Sequence, residues 1–255
     1  MPGYADFEFD LPEALLVRLI EVLDSVERET LSQEGLADVP DSQGVYQLWL
    51  DDELVYIGKT DAQAGLRKRL DRHRQKLQHR HRLEPNRVSF RAVRIYVFTP
   101  LELETSLIEH YGGVKQVRWN GSGFGSNDPG RERDTTRYKE GHFDLEFPID
   151  IDRPLELELP GEASAAEVLS SLKGRLPYVF RYQNAGSHSR RPHPDLEGTL
   201  VNIPRMEQVT TRSVLQVIVP QLPSRWRATL LPSHVILYKD NKDYPQGAEI
   251  SRSAR

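Results

Sequence analysis

The chain has 255 residues, 38% of them hydrophobic and 28% charged, with a net charge of −4 and no cysteine. This is enough apolar material for one large domain or two small ones, and it excludes disulfides, thiolate catalysis and cysteine-ligated zinc. No run approaches the roughly 18 apolar residues of a membrane-spanning helix. The acidic start MPGYADFEFD lacks a basic-then-apolar leader pattern, so a cytoplasmic protein without membrane association is expected.

Charge is unevenly placed. Residues 1–58 carry 14 acids and only Arg18 and Arg28 as bases. Residues 59–94 carry 12 Lys/Arg against Asp61, Asp71 and Glu84, a local +9 in a chain whose remainder carries −13. A basic block in an acidic protein fits a phosphate footprint, because the local field matters more than the total; it also fits a solvated helix face.

In chain order, residues 11–29 read as a helix with Asp10 as cap, Pro12 in the first turn and Leu15, Leu16, Leu19, Ile20, Leu23 and Val26 on one face. A loop with Gly35, Pro40 and Gly44 leads into a hairpin, Val45–Leu50 and Leu54–Ile57 around Asp51–Glu53. A three-residue loop pairs Leu50 with Leu54 and puts Tyr46 and Tyr56 on a shared face; a one-residue slip separates them. Residues 65–78 read as a helix on which Arg69 lies one turn before His73. Residues 92–98, AVRIYVF, read as a buried strand. TPLELETSLIEHY then opens a helix with Thr99 as cap, Pro100 at its first position and Glu102 closing a capping box.

On that helix Leu101, Leu107, Ile108 and Tyr111 define an inward face, and Glu104 falls among them. A lone carboxylate on a core-facing stripe is costly unless paired or bound to a cation. Glu102 and Glu109 have ordinary roles as a capping and a surface residue; Glu104 has none. The glycine-rich run 119–134, WNGSGFGSNDPGRERD, lacks the Gly-Lys-Ser/Thr ending of a nucleotide-cradling loop. Beyond it, residues 142–149 suggest a strand, 164–176 a helix with a Ser164/Glu167 capping box, and 178–182 a short strand. Residues 184–194 form a basic loop, 214–219 and 235–238 are apolar segments of open type, and the polar tail after Lys239 is expected to fray.

The order of features is two hairpin tyrosines, a helix with Arg69 and His73, a strand, a helix with Glu104, then Asn120. It resembles the GIY-YIG nuclease superfamily. Gly44-Val45-Tyr46 matches the first tripeptide with Val for Ile, and Tyr56-Ile57-Gly58 the second without change. Leu66-Arg67-Lys68-Arg69-Leu70 resembles the segment of the essential arginine. Glu104-x-x-Leu107-Ile108 resembles the metal-ligand helix, and Asn120 the closing asparagine. The Arg69-x-x-x-His73 spacing and the run from Gly123 to Arg131 are also similar to the type II restriction endonucleases of this superfamily that are isoschizomers of SacII and cut CCGCGG.

The resemblance implies an α+β fold: a small mixed or antiparallel sheet flanked by helices. It implies an N-terminal helical extension (1–43), a catalytic core (44–122) and an accessory DNA-recognition region (123–255) on the same domain. It implies a hydrolase that cuts double-stranded DNA at a short GC-rich palindrome, as a homodimer, beside a companion DNA methyltransferase of the same restriction–modification system. The implied catalytic residues are Tyr46, Tyr56, Arg69, His73, Glu104 and Asn120. Glu104 is the ligand of one Mg²⁺ (or Mn²⁺) per active site, an ion content with few protein carboxylates and several waters. Lys59, Arg131, Arg133, Arg190 and Arg191 are the DNA-binding candidates, since cationic side chains pair with phosphate and with guanine O6 and N7.

Each residue also has an ordinary reading: tyrosines packed in strands, a solvated Arg69, an interior His73, Asn120 as a turn residue. The alternatives are a structure-specific repair or homing nuclease, a non-catalytic nucleic-acid-binding module, and an unrelated α/β protein.

Overall fold

The computed structural model describes Gly3 and residues 10–96, 103–126, 128, 130–186 and 189–254. The chain is of mixed α and β type, with largely antiparallel sheets. It divides into two compact units, Met1–Arg74 with Glu84–Gly125, and Gln75–Leu83 with Ser126–Arg255. The first helix thus groups with the hairpin, and residues 75–83 group with the chain after Gly125.

The first unit contains α1 (Leu11–Ser25), β1 (Glu29–Thr30), β2 (Gly44–Leu50), β3 (Glu53–Thr60), most of α2 (Leu66–Leu77), β4 (Val88–Arg94) and α3 (Leu103–His110). Asp10 caps α1 by accepting the Glu13 N–H at 2.9 Å. The helix ends at Ser25, four residues earlier than its apolar pattern suggests, because Val26 turns to extended backbone. The sheet runs β1-β4-β2-β3, so β3 is an edge. Val45 and Ile57 point to one side, where they pack with Leu19 and Leu23 of α1 and Leu103 and Leu107 of α3. Each such buried aliphatic side chain contributes about 1.5–3 kcal/mol. Tyr46 and Tyr56 leave the opposite side, toward α2.

The hairpin is tighter than expected. Leu50 pairs with Glu53 across a two-residue turn in which Asp51 has φ of 52°. That register alone would put the tyrosines on opposite faces. A β-bulge then shifts the ladder: Trp49 pairs with Leu54 and Leu48 with Tyr56, leaving Val55 as the extra residue. Beyond the bulge Tyr46 opposes Gly58, and the two tyrosines share a face as expected, by a different route.

β4 lies four residues earlier than the expected strand over 92–98, and its latter half is only part-buried. Alternating Val88 and Phe90 carry the burial instead. Val97 and Phe98, and the expected cap of α3 at Thr99, Pro100, Leu101 and Glu102, lie outside the described residues.

The second unit contains α4 (Phe143–Glu146), β5 (Glu162–Ser164), α5 (Ala165–Arg175), β6 (Val179–Tyr182), α6 (Pro194–Gly198), β7 (Leu200–Asn202), α7 (Thr211–Ile218), β8 (Trp226–Leu231), β9 (His234–Lys239) and β10 (Ala248–Arg252). Its main sheet is β10-β8-β9-β6, with β6 parallel to β9. The predicted capping box at Ser164 and Glu167 is present. Leu169 and Leu172 of α5 and Leu215 and Ile218 of α7 share a core with Trp226, Val235 and Leu237.

Two expectations fail here. Residues 142–149 alternate like a strand, yet Phe143 and Phe147 meet at helical i,i+4 spacing, ring centroids 5.3 Å apart, around α4. The tail does not fray: β10 pairs with β8, and Ile250 and Ser253 are buried. Of the two open segments, 214–219 lies mostly in α7 and 235–238 within β9.

Candidate active site

β2, β3, α2 and the loop that ends the first unit place four of the predicted residues together. Tyr46 is fully buried, and its hydroxyl lies 2.7 Å from His73 Nε2. Arg69, one turn before His73, donates Nε–H to the same hydroxyl oxygen at 3.3 Å. That oxygen carries one proton and two lone pairs, so the direction of its bond to Nε2 follows the tautomer of His73. The Tyr56 ring lies 6.0 Å from that of Tyr46 and meets His73 edge-on at 5.3 Å.

Two glycines make this crowding possible. A methyl group on Gly58 would sit 2.3 Å from the Tyr46 hydroxyl oxygen. One on Gly125 would sit 2.3 Å from that of Tyr56. Phe124 stacks on His73 at 4.8 Å with 16° between the planes, and Arg69 donates Nη2–H to the Gly125 carbonyl at 3.1 Å. The phenols and the imidazole therefore lie beneath residues 124–125, and Arg69 is the half-buried member.

Electrostatics follows from this burial. Loss of hydration, and then the neighbouring Tyr56 oxygen, push the Tyr46 phenol well above its ordinary value, against the pull of Arg69. Burial also disfavours the Arg69 cation, but the adjoining phenol oxygens outweigh it, and the guanidinium stays charged.

Asn120 does not enter the cluster. Its amide accepts the Ile57 N–H and donates to the Ile57 carbonyl, both at 2.8 Å. It completes the open edge of β3 as a neighbouring strand would, aided by Trp119 N–H on the Val55 carbonyl at 2.8 Å. It positions Tyr56 and Gly58 on either side of Ile57.

Glu104 is partly buried and pairs with Lys59 Nζ at 3.1 Å. Strand alternation sends Lys59 to the Ile57 side of β3, where α3 packs, while Tyr56 leaves on the α2 side. The carboxylate and the tyrosines thus address the same edge strand from its two sides. Among the described residues no three His, Asp or Glu side chains gather to hold a metal. A single partly buried carboxylate matches the donor set Mg²⁺ accepts when water and substrate fill the remaining positions, so Glu104 fits the ion.

The other candidate cations separate into two kinds. Arg131 is exposed and lies over the Tyr238 ring at 4.9 Å, and Arg190 and Arg191 are exposed on their loop. Arg133 is instead part-buried and paired with the buried Asp144, which Arg80 also holds, at 2.8 Å. Sequence gave no sign of this ion cluster, nor of a second one in which Asp134 accepts from His234 Nε2 at 2.8 Å and Tyr238 at 2.9 Å. Both join residues far apart in sequence. Phe124 was visible only as part of a glycine-rich run.

No protein-family model matches the chain, and no curated protein matches it. No helix among the described residues is long and apolar enough to cross a membrane.

Proposed function

We propose that this chain is a Mg²⁺- or Mn²⁺-dependent endonuclease of the GIY-YIG type, hydrolysing phosphodiester bonds of double-stranded DNA as a type II restriction enzyme. One observation carries the reading: the Tyr46 hydroxyl lies between Arg69 Nε and His73 Nε2, with Tyr56 beside it. Phosphodiester hydrolysis needs a proton acceptor for water and positive charge on the phosphate, and these side chains supply both.

Burial makes a free Tyr46 phenolate unfavourable, so the phenol acts as a relay. It takes a proton from the attacking water while giving its own to His73 Nε2. Arg69 exchanges the Gly125 carbonyl for a phosphate oxygen. Its planar, permanently charged fork suits that role. Tyr56 orients the phosphate, and Asn120 holds the strand that carries Tyr56. Glu104, on the α3 side of the edge strand, would hold the divalent cation, which would supply Lewis acidity and leaving-group stabilisation to a phosphate lying across that edge.

A palindromic site calls for two-fold symmetry, hence a homodimer with one centre per strand. Arg131, Arg190 and Arg191 are exposed and can meet guanine; Lys59 would meet phosphate by exchanging its Glu104 partner, and Arg133 is committed to Asp144 and leaves that set. A restriction enzyme also requires a companion methyltransferase and a place in the cytoplasm.

The burial of the phenols favours one competing reading, a nucleic-acid-binding module in which they only pack. Plasmid digestion with Mg²⁺ separates the two. Discrete bands, abolished by chelator, by Glu104→Ala and by Tyr46→Phe, support the nuclease. Unchanged retention of DNA without cleavage assigns the module.

A further inference from the structure

We infer that Phe124 is a positioning residue for His73, setting the plane of the imidazole so that Nε2 meets the Tyr46 hydroxyl. The inference rests on the relay proposed above.

Three contacts fix the Phe124 ring: a tilted stack on Trp119 at 4.8 Å, an edge-on meeting with Tyr56 at 5.2 Å and 72°, and the near-parallel stack on His73. Phe124 and Trp119 are both about 1% exposed, so neither ring has room to tilt away. Imidazole rotation about its terminal torsion is broad and soft, roughly two-fold, so a histidine needs outside contacts to hold one plane. The bond at Nε2 restrains the ring at that atom. A flat, near-parallel aromatic face against the imidazole adds a restraint on its plane, because leaving coplanarity costs contact along the whole ring.

The chain also anchors the strap that carries Phe124. Its next residue, Gly125, binds Arg69 through its carbonyl, and Asn120 and Trp119 hydrogen-bond to β3. The same seven-residue segment therefore touches β3, Tyr56, His73 and Arg69. Phe124 touches no reacting atom in this arrangement and acts through His73.

The test uses the full chain with Phe124→Leu, which keeps apolar bulk but loses the flat face, and Phe124→Tyr, which keeps the ring. The first readout is independent of cleavage: the ¹⁵N resonances of the His73 ring, followed with pH. Phe124→Leu is expected to move both ring nitrogens toward the values of an imidazole averaging its two tautomers, and Phe124→Tyr to leave them near wild type. The second readout is cleavage with Mg²⁺. Phe124→Leu is expected to lower kcat at least tenfold with KM within twofold, and Phe124→Tyr to restore it. Unmoved His73 resonances in a folded Phe124→Leu protein overturn the inference. If Phe124→Leu shows no cooperative melting, Phe124→Tyr decides: displaced His73 resonances in that folded variant overturn it equally. Absence of cleavage by wild type, with the resonance pattern as expected, overturns the nuclease reading and leaves the positioning of His73 in place.

Discussion

Gly58 faces Tyr46 across the β2–β3 ladder, and a methyl group at Gly58 would lie 2.3 Å from the Tyr46 hydroxyl oxygen. The backbone of Gly58 is not in the left-handed region, so alanine is admissible there by conformation and excluded by the side chains of Tyr46 and, at 2.8 Å, Tyr56. Gly58→Ala is expected to displace Tyr46 by the order of an ångström. The cost in stability is about 1–3 kcal/mol, as for other overpacked sites, and cleavage falls by about 100-fold or more. Thermal melting and a plasmid digest check the two parts. Full cleavage by a folded Gly58→Ala protein would mean that the Tyr46 hydroxyl takes no part in the chemistry.

Asn120 closes the edge of β3 with one side chain, satisfying both backbone groups of Ile57. Asn120→Ala removes two hydrogen bonds from a part-buried edge, a loss of about 2 kcal/mol. Amide hydrogen exchange at Ile57 reports it directly: protection there should drop while that of Val235 and Leu237, in the second unit, stays. Equal loss at all three positions would show global destabilisation and remove the specific role.

What was legible follows from how local each signal is. α1, α2 and α5 were readable because capping and apolar spacing act within a few residues, as the Asp10 and Ser164 caps show. The tyrosine pairing was readable from register, although a bulge at Val55, which no local propensity marks, corrects a turn one residue shorter than expected. α4 was misread because Phe143, Leu145, Phe147 and Ile149 fit period two as well as a single helical turn. β10 was missed because an edge strand of AEISR is polar on one side and gains its order only from β8. Tyr46, Tyr56, Arg69 and His73 were singled out by their resemblance to the motifs of the GIY-YIG superfamily, with helical spacing relating Arg69 to His73. Phe124 and the Lys59–Glu104 pair were not, since their contacts cross between loop, helix and strand.

Asp144 predicts how the second unit answers to acid. Burial by itself would raise its carboxyl, but Arg80, Lys76 and Arg133 overcome that and hold it below the ordinary carboxylate range. A depressed folded value stabilises the fold at any pH above the unfolded value, about 3.9. That contribution is lost as pH falls through the folded value. Asp144→Asn leaves Arg80, 3% exposed, without its counter-charge. It should cost about 3–5 kcal/mol at pH 7 and flatten the acid limb below about pH 4. Urea unfolding at pH 7, 4 and 3 measures both. An acid limb as steep in Asp144→Asn as in wild type would assign the acid response to other carboxylates.

Lys59 and a divalent cation would compete for one carboxylate. Lys59 Nζ lies 3.1 Å from Glu104 Oε2 with the two side chains 29% and 23% exposed, so the pair itself contributes only about 0–1 kcal/mol to folding. Lys59→Met should therefore melt near wild type. Removing a cation worth about 1 kcal/mol at this range in a watery setting frees Glu104 and tightens Mg²⁺ about fivefold. Cleavage nevertheless falls, because the same ammonium is a phosphate contact in the proposed complex. Titration calorimetry of wild type, Lys59→Met and Glu104→Gln with Mg²⁺ separates these effects, with the heat expected to vanish in Glu104→Gln. Tighter binding with slower cleavage in Lys59→Met marks Lys59 as both competitor and phosphate ligand. Weaker Mg²⁺ binding in Lys59→Met would show that the ammonium holds Glu104 in its ligating orientation instead, and Mg²⁺ heat persisting in Glu104→Gln would remove Glu104 as the metal ligand.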